Sequence, residues 1–302
     1  MQIFITGATG YIGGSVAERL VRGGHSVRGL VRDTTKASAL RLRGVEPVLG
    51  SLDDTGLLRD EAARSDAVVN AANSDHRESV EAMLTGLAGS GKPFLHTSGT
   101  GKVGDDACGE FLSDRVFNDD LAVDPGPHPF AQARHALDMR VLQAAASGVR
   151  SVVLCNPLIY GVGLGLHAES IQVPMLAKQA LESGVVRVIG HGLNHWSNVH
   201  VDDMANLYSL ALSSAPAGAF YFVENGEASF AEIGAAIALR LGLNSVQFWS
   251  VEDATPHWGE RFPRSGLGSN SRVRGPRARR ELGWAPRSPS LTEWIKTELP
   301  TA

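Results

Sequence analysis

Apolar positions along the chain fall into two alternating rhythms. Short runs rich in β-branched residues, at Gln2-Ile3-Phe4-Ile5, Ser26–Val31, Val45–Leu49, Ala67–Asn70, Pro93–Thr97 and Ser151–Cys155, predict buried strands. Between them the period becomes helical. Ile12, Val16 and Leu20 recur every four residues with Glu18, Arg19 and Arg22 interposed, and a second helix is predicted over Phe130–Ala146. Strands alternating with helices in this way predict an α/β fold, a doubly wound parallel sheet with helices on both faces. Further along, Val173–Leu181 reads as helix and Val185–Ile189 as strand. The Asp202-Asp203 pair is expected to cap a helix, Ala219–Val223 forms a strand, and Phe230–Leu241 forms a helix with Ser229 as its N-cap. Residues 105–128 read as a long polar loop, and residues 251–277, which lack a clear period, are expected to wrap the substrate side.

The first strand and first helix are joined by Thr6-Gly7-Ala8-Thr9-Gly10-Tyr11-Ile12-Gly13. Glycines on a strand-to-helix turn serve three needs: a tight turn, close approach of a pyrophosphate, and close packing of helix on strand. The helix start adds free N–H groups and a partial positive charge. Thr6, Gly7, Thr9, Gly10, Tyr11, Ile12 and Gly13 are therefore expected to form a dinucleotide site. Arg32 follows the second strand, with Lys36 one turn later, where the extra phosphate of NADP would lie; NADP is expected. Asp33 is a competing signal that keeps NAD as the alternative. Ser51 and Leu52 are expected beside the adenine, and Ala71 and Ala72 beneath the middle of the cofactor. The Rossmann-type domain is expected over residues 1–160, with 190–214 returning to it. Residues 161–189 and 215–302 would form a smaller, discontinuous substrate lobe.

Bulk properties narrow the reading. A chain of 302 residues, 43% hydrophobic and 20% charged, is ordinary for a globular protein with a sizeable core. A net charge of −4 offers no global field for nucleic acid, and no apolar run is long enough for a membrane span. The two cysteines, Cys108 and Cys155, have no metal-ligand spacing and suit a reducing compartment. With no basic-then-apolar opening segment, a cytoplasmic location is expected. The five arginines of Arg272–Arg280 read as a solvated helix face.

These pieces resemble an extended short-chain dehydrogenase/reductase of the NAD-dependent epimerase/dehydratase kind. The resemblance rests on the glycine turn, the serine region after the fifth strand, Asn156-Pro157-Leu158-Ile159-Tyr160-Gly161, His200-Val201-Asp202-Asp203, and Ala278 through Pro286. It implies that Pro157 and Leu158 touch the cofactor, and it allows a homodimer built on helical segments such as 76–89 and 129–148. The family's Tyr-x-x-x-Lys pair is replaced by Phe130 and Arg134, and Asp138 stands where the family often has glutamate. Phenylalanine has no proton to give. Arginine keeps a positive charge near the nicotinamide ribose but does not deprotonate in this pH range. Counting back from Gly104 puts Gly99 where a serine or threonine usually stands, between Ser98 and Thr100.

Ser98, Thr100 and Tyr160 are the candidate hydroxyls for the substrate oxygen, with Phe130 as a pocket wall. His135, His195, Trp196 and Tyr11 are weaker candidates. The leading expectation is an atypical NADP-dependent oxidoreductase acting on a small carbonyl-type metabolite. One alternative is a nucleotide-sugar epimerase or dehydratase, which would need a diphosphate clamp from Arg261, Arg264 or Arg272. Another is an NmrA-like sensor that binds NADP without catalysis.

Overall fold

The structure is a computed structural model that describes residues 1–120 and 124–301. Its first half alternates strand and helix: β1 (Gln2–Thr6), α1 (Tyr11–Arg22), β2 (Ser26–Val31), α2 (Thr34–Leu42), β3 (Val45–Leu49), α3 (Thr55–Arg64), β4 (Ala67–Asn70), α4 (Arg77–Leu87) and β5 (Pro93–Gly99). A 3₁₀ turn at Thr100–Val103 leads through β6 (Phe117–Asn118) to α5 (Pro129–Gln143), β7 (Arg150–Asn156) and β8 (Leu158–Tyr160). Then follow α6 (Gln172–Ser183), β9 (Val186–Ile189), β10 (His195–His200), α7 (Val201–Ser214), β11 (Ala219–Phe222), β12 (Glu227–Ser229) and α8 (Phe230–Leu241). The chain closes with β13 (Val246–Trp249), α9 (Val251–Trp258), a π-helical turn at Pro263–Leu267, β14 (Val273–Arg274), α10 (Pro276–Leu282) and α11 (Leu291–Glu298).

Seven strands form one wholly parallel sheet in the order β11-β7-β5-β4-β1-β2-β3. The order reverses between β1 and β4. A doubly wound sheet opens its crevice beyond the carboxyl ends of the strands at such a point. Apolar residues on the two faces, such as Ile3 and Ile5 on one and Phe4 and Val68 on the other, feed two separate cores. A third core lies in the smaller lobe, where β10 pairs with β8 and β12, β9 pairs with β13, and α6, α8 and α11 pack around them.

Several boundaries differ from the sequence reading. β11, expected in the smaller lobe, forms the edge of the main sheet beside β7 because Ala219–Phe222 is buried along its whole length. Trp284 also belongs to the first core, and its indole N–H donates to the carbonyl of Asp203. Within 190–214, α7 packs on α1 while β10 belongs to the smaller lobe's sheet. The loop expected over 105–128 contains β6, which pairs with β14; residues 121–123 lie outside the described residues. Helix α8 begins with a full capping box between Ser229 and Glu232. Helix α7 is instead capped by His200, whose Nδ1 accepts the Asp202 N–H. The Asp203 carboxylate accepts the backbone N–H groups of Arg287 and Ser288, tying down the tail.

Candidate active site

The turn after β1 is built by steric necessity. Gly7 has φ +75°, and a Cβ there would stand 2.5 Å from the carbonyl oxygen of Ala71. A Cβ on Gly13 would stand 2.3 Å from the carbonyl oxygen of Gly7, so the helix lies directly on the turn. Gly10 differs. Its missing Cβ would meet a single ordinary contact, at 3.4 Å from the Gly7 carbonyl oxygen, and the residue faces a cavity. It is the N-cap of α1 with no side-chain cap, and the first turn carries no acidic residue. Such a helix start leaves backbone N–H groups for an anion, and Gly10, Tyr11 and Ile12 line the cavity there.

That cavity has a volume of about 800 Å³ and runs from Gly10, Tyr11 and Ile12 past Ala71 and Ala72 to the ends of β5 and β7. It continues between α5 and the end of α9 with the segment after it, where Trp258, Arg261 and Phe262 form its far wall. Of the expected cofactor residues, Gly10, Tyr11, Ile12, Ala71, Ala72, Arg134 and Pro157 line it. Thr6, by contrast, is fully buried: its hydroxyl donates to Asn70 Oδ1 at 2.6 Å and accepts the Ala71 N–H, so it shapes the turn from behind. Leu158 is buried in the smaller lobe's core and is not part of the cavity wall. Gly7, Thr9 and Gly13 belong to the turn but not to the wall, and Ser51, Leu52, Arg32 and Lys36 lie beyond it toward the other sheet edge.

Asp33 is spent on its own helix, accepting the Lys36 N–H as N-cap of α2. Arg32 is exposed beside it.

Behind the cavity lies a buried polar cluster. Ser98 Oγ donates to Asp138 Oδ2 at 2.7 Å, and Lys102 Nζ donates to the same oxygen at 2.5 Å. All three side chains are almost wholly excluded from solvent, yet Ser98 forms part of the cavity wall. The remaining oxygen of Asp138 faces His96 Nε2 at 3.7 Å. Asn70 donates to His96 Nδ1 at 3.1 Å, which fixes the ring proton on Nε2. Burial pushes the His96 pKa down to about 4; the Asp138 charge opposes this, and Arg134 and Lys102 assist it, so the ring is neutral at pH 7. Asn156, also on the wall, donates to the Tyr208 hydroxyl at 2.8 Å, while its buried Oδ1 has no partner among the described residues.

The other candidates separate clearly. The Thr100 hydroxyl is fully buried and accepts from Ser271 Oγ at 2.8 Å, so it braces the C-terminal segment. The Tyr160 hydroxyl, raised above the usual phenol range by burial and then by Asp203, donates to the Pro289 carbonyl and lies off the wall. This overturns its reading as a substrate-facing donor. Tyr11 does line the cavity, but its hydroxyl donates to the Gly161 carbonyl at 2.9 Å, and burial, then Asp202, raises its pKa. Trp196 is on the wall; His195 and His135 are not.

Phe130 and Arg134 both face the cavity from the first turns of α5. Arg134, expected near the ribose, is held by Asp75 in a two-pronged pair with Nε and Nη2 distances of 2.8 and 2.6 Å. Gly99 leaves room for this longer side chain: a Cβ there would be 3.1 Å from Arg134 Nη1. The Ser98–Asp138–Lys102 cluster escapes sequence reading because its members come from a strand, a 3₁₀ turn and a helix. Ser98 and Asp138 each carried a signal of their own; Lys102 and the bonds joining the three did not.

The Arg272–Arg280 run is not one helix face: it is split between the β14 segment and α10, and its arginines, Arg280 the most exposed, are paired with carboxylates. Arg272 and Arg274 pair with Glu227, Arg277 with Glu281, Arg279 with Glu224 and Arg280 with Asp120.

Residues 1–86 match the NmrA-like family and residues 91–222 the NAD dependent epimerase/dehydratase family. The chain is 34% identical to oxidase ucsJ of Acremonium sp, spanning 98% of this chain and 95% of that protein. It is 32% identical to the uncharacterized protein C2A9.02 of Schizosaccharomyces pombe, over 96% and 97% of the two chains. Among solved structures, UDP-glucose 4-epimerase of Thermotoga maritima superposes with a TM-score of 0.77 at 19% identity, over 98% and 96% of the chains. The NAD complex of dTDP-glucose 4,6-dehydratase from Bacillus anthracis gives 0.77 at 18% identity, over 98% and 94%. Among the described residues, no helix is long and apolar enough to cross a membrane.

Proposed function

Because this chain belongs to the extended short-chain dehydrogenase/reductase family, whose members are NAD(P)-dependent enzymes, we propose that it is an NADP-dependent oxidoreductase that interconverts an alcohol and a carbonyl at Ser98. The observation that carries the reading is the continuity of one cavity from the uncapped start of α1 to Ser98.

The residues present fit a dinucleotide. Gly10 leaves space on the cavity side of a helix start that has no side-chain cap, where N–H donors can meet a phosphate. Arg32, exposed while Asp33 caps α2, favours NADP over NAD. When bound, the nicotinamide supplies the hydride acceptor or donor.

The protein's part is positioning and proton transfer. Ser98 gives its hydrogen to Asp138, which leaves the lone pairs of its oxygen for a substrate O–H. In the oxidation direction the substrate hydroxyl passes its proton to Ser98 Oγ as Ser98 passes its own to Asp138 Oδ2, while the substrate carbon loses hydride. Reduction reverses each transfer. Lys102 holds the carboxylate in register from the side away from the cavity, with its ammonium also over the Phe220 ring at 4.5 Å. Phe130 shapes the wall and takes no proton.

The test is a titration of NADPH and NADH into the protein, followed by turnover against a carbonyl panel. NADPH is expected to bind tighter, Arg32→Ala to weaken NADPH selectively, and Ser98→Ala to lose turnover with NADPH affinity unchanged. Equal affinities for the two cofactors would remove the NADP preference. Full turnover in Ser98→Ala would remove the proposed proton route. Tight NADPH binding with no turnover on any carbonyl would favour the sensor reading.

A further inference from the structure

We infer that the substrate is a compact aryl carbonyl compound, a flat ring system bearing the reacting carbonyl, and not a nucleotide diphosphate sugar. The inference rests on the oxidoreductase reading above and concerns the part of the cavity beyond Ser98. Two observations lead to it.

The first is the state of the cations. Beyond the start of α1, whose N–H groups the cofactor would use, a substrate diphosphate would be held chiefly by cationic side chains. Arg272 is committed to Glu227 and to the Ser113 carbonyl. Arg264 is off the wall, near Asp106 at 3.7 Å. Arg134 is gripped by Asp75. Among the described residues only Arg261 stands on the wall without a carboxylate partner, and Glu169 and Glu260 stand on the same wall. Two phosphates would meet one free cation and two carboxylates.

The second is the surface that remains. Phe130, Trp196, Trp258 and Phe262 enclose this end of the cavity, and the Arg261 guanidinium lies 3.8 Å above the Phe130 ring centroid. A guanidinium held over a ring adds to the aromatic wall a cation that favours π-faces. Trp258 is itself braced edge-on by Trp249 at 5.4 Å, so the wall is backed by packing. Space agrees. About 800 Å³ suits one drug-sized ligand, and the nicotinamide end of the cofactor must share it.

The experiment is calorimetric titration of the full-length, NADP⁺-loaded protein with three probes: acetylnaphthalene, cyclohexyl methyl ketone and UDP-glucose. Acetylnaphthalene is expected to bind about tenfold tighter than the alicyclic ketone, and UDP-glucose to give no saturable heat. Arg261→Ala, at an exposed position, and Trp258→Leu are each expected to weaken acetylnaphthalene about threefold to tenfold, with NADP⁺ affinity unchanged. Tighter binding of UDP-glucose than of acetylnaphthalene overturns the inference. So does indifference of both ketones to ring character and to Arg261→Ala. If NADP⁺ binds and the aryl probe does not, this inference alone falls; if NADP⁺ does not bind, the oxidoreductase reading falls with it.

Discussion

The guanidinium of Arg134 and the carboxylate of Asp75 meet in a two-pronged ion pair that joins helix α5 to the loop after β4. Burial raises the Asp75 pKa, but the hydrogen bonds and charge of Arg134 outweigh it and hold the carboxyl below its usual range. The residue expected to reach the ribose is thus anchored by a partner that sequence spacing did not reveal. The pair is partly exposed, so its stability contribution is of order 0.2–1 kcal/mol. Arg134→Ala is expected to weaken NADPH binding severalfold, whereas Asp75→Ala, which frees the arginine, keeps affinity near that of the parent. Fluorescence titration of both variants decides. Equal losses would mean that the ion pair, and not the arginine's charge, is what binding uses.

Gly10 and Gly13 are expected to fail differently. Gly10 has room for a side chain on the protein side but faces the cavity, so Gly10→Val should keep the parent's melting temperature and lose NADPH binding. At Gly13 a Cβ would collide with the Gly7 carbonyl, so Gly13→Ala should lower stability by roughly 1–3 kcal/mol by overpacking. Circular dichroism melts paired with cofactor titration separate the two. A Gly10→Val protein that binds NADPH normally would refute the phosphate site.

Phe130→Tyr should not create a working acid. The lysine that would lower a tyrosine's pKa is absent, and Arg134 is already engaged by Asp75. The added hydroxyl would also disturb an aromatic ring that neighbours His128, at 5.7 Å, and Arg261. The rate on a turned-over carbonyl is expected to stay level or fall, with no new basic limb in the pH–rate profile. A large gain with a new titration would mean that this is a standard dehydrogenase lacking one residue.

Buried, neutral His96 should make the fold acid-sensitive. The unfolded chain takes up a proton near pH 6.5, the folded chain only near pH 4. Stability from this residue is therefore complete above about pH 6.5 and is lost as pH falls toward 4, by up to about 3 kcal/mol. Urea denaturation across that window should show a flatter acid limb in His96→Gln than in the parent. Identical slopes would show that another group sets the acid limb.

What the sequence disclosed follows from locality. β2, β3 and β4 appear residue for residue because each is a short strand-forming run set between helix-period segments. Two-residue strands such as β6 and β14 have no pattern of their own; they exist because chain segments more than a hundred residues apart meet. The same holds for the site. The glycine turn is a local device and was legible. The Ser98–Asp138–Lys102 cluster, the Asp75 anchor and the Arg261–Phe130 pair each need tertiary structure to bring their members together. Tyr160 misled because its position after β7 is near the cavity, while its side chain turns into the other lobe's core.

The placement of β11 and Trp284 in the first core bears on how the chain is made. Strands β1 to β5 leave the ribosome early, yet the sheet edge they need is supplied by residues 219–222 and the indole that seals α7 comes later still. A nascent chain halted before Trp284 would carry an unclosed apolar surface, open to chaperones and to neighbouring copies. Synthesis of the tail is then needed before the first core can close over α7.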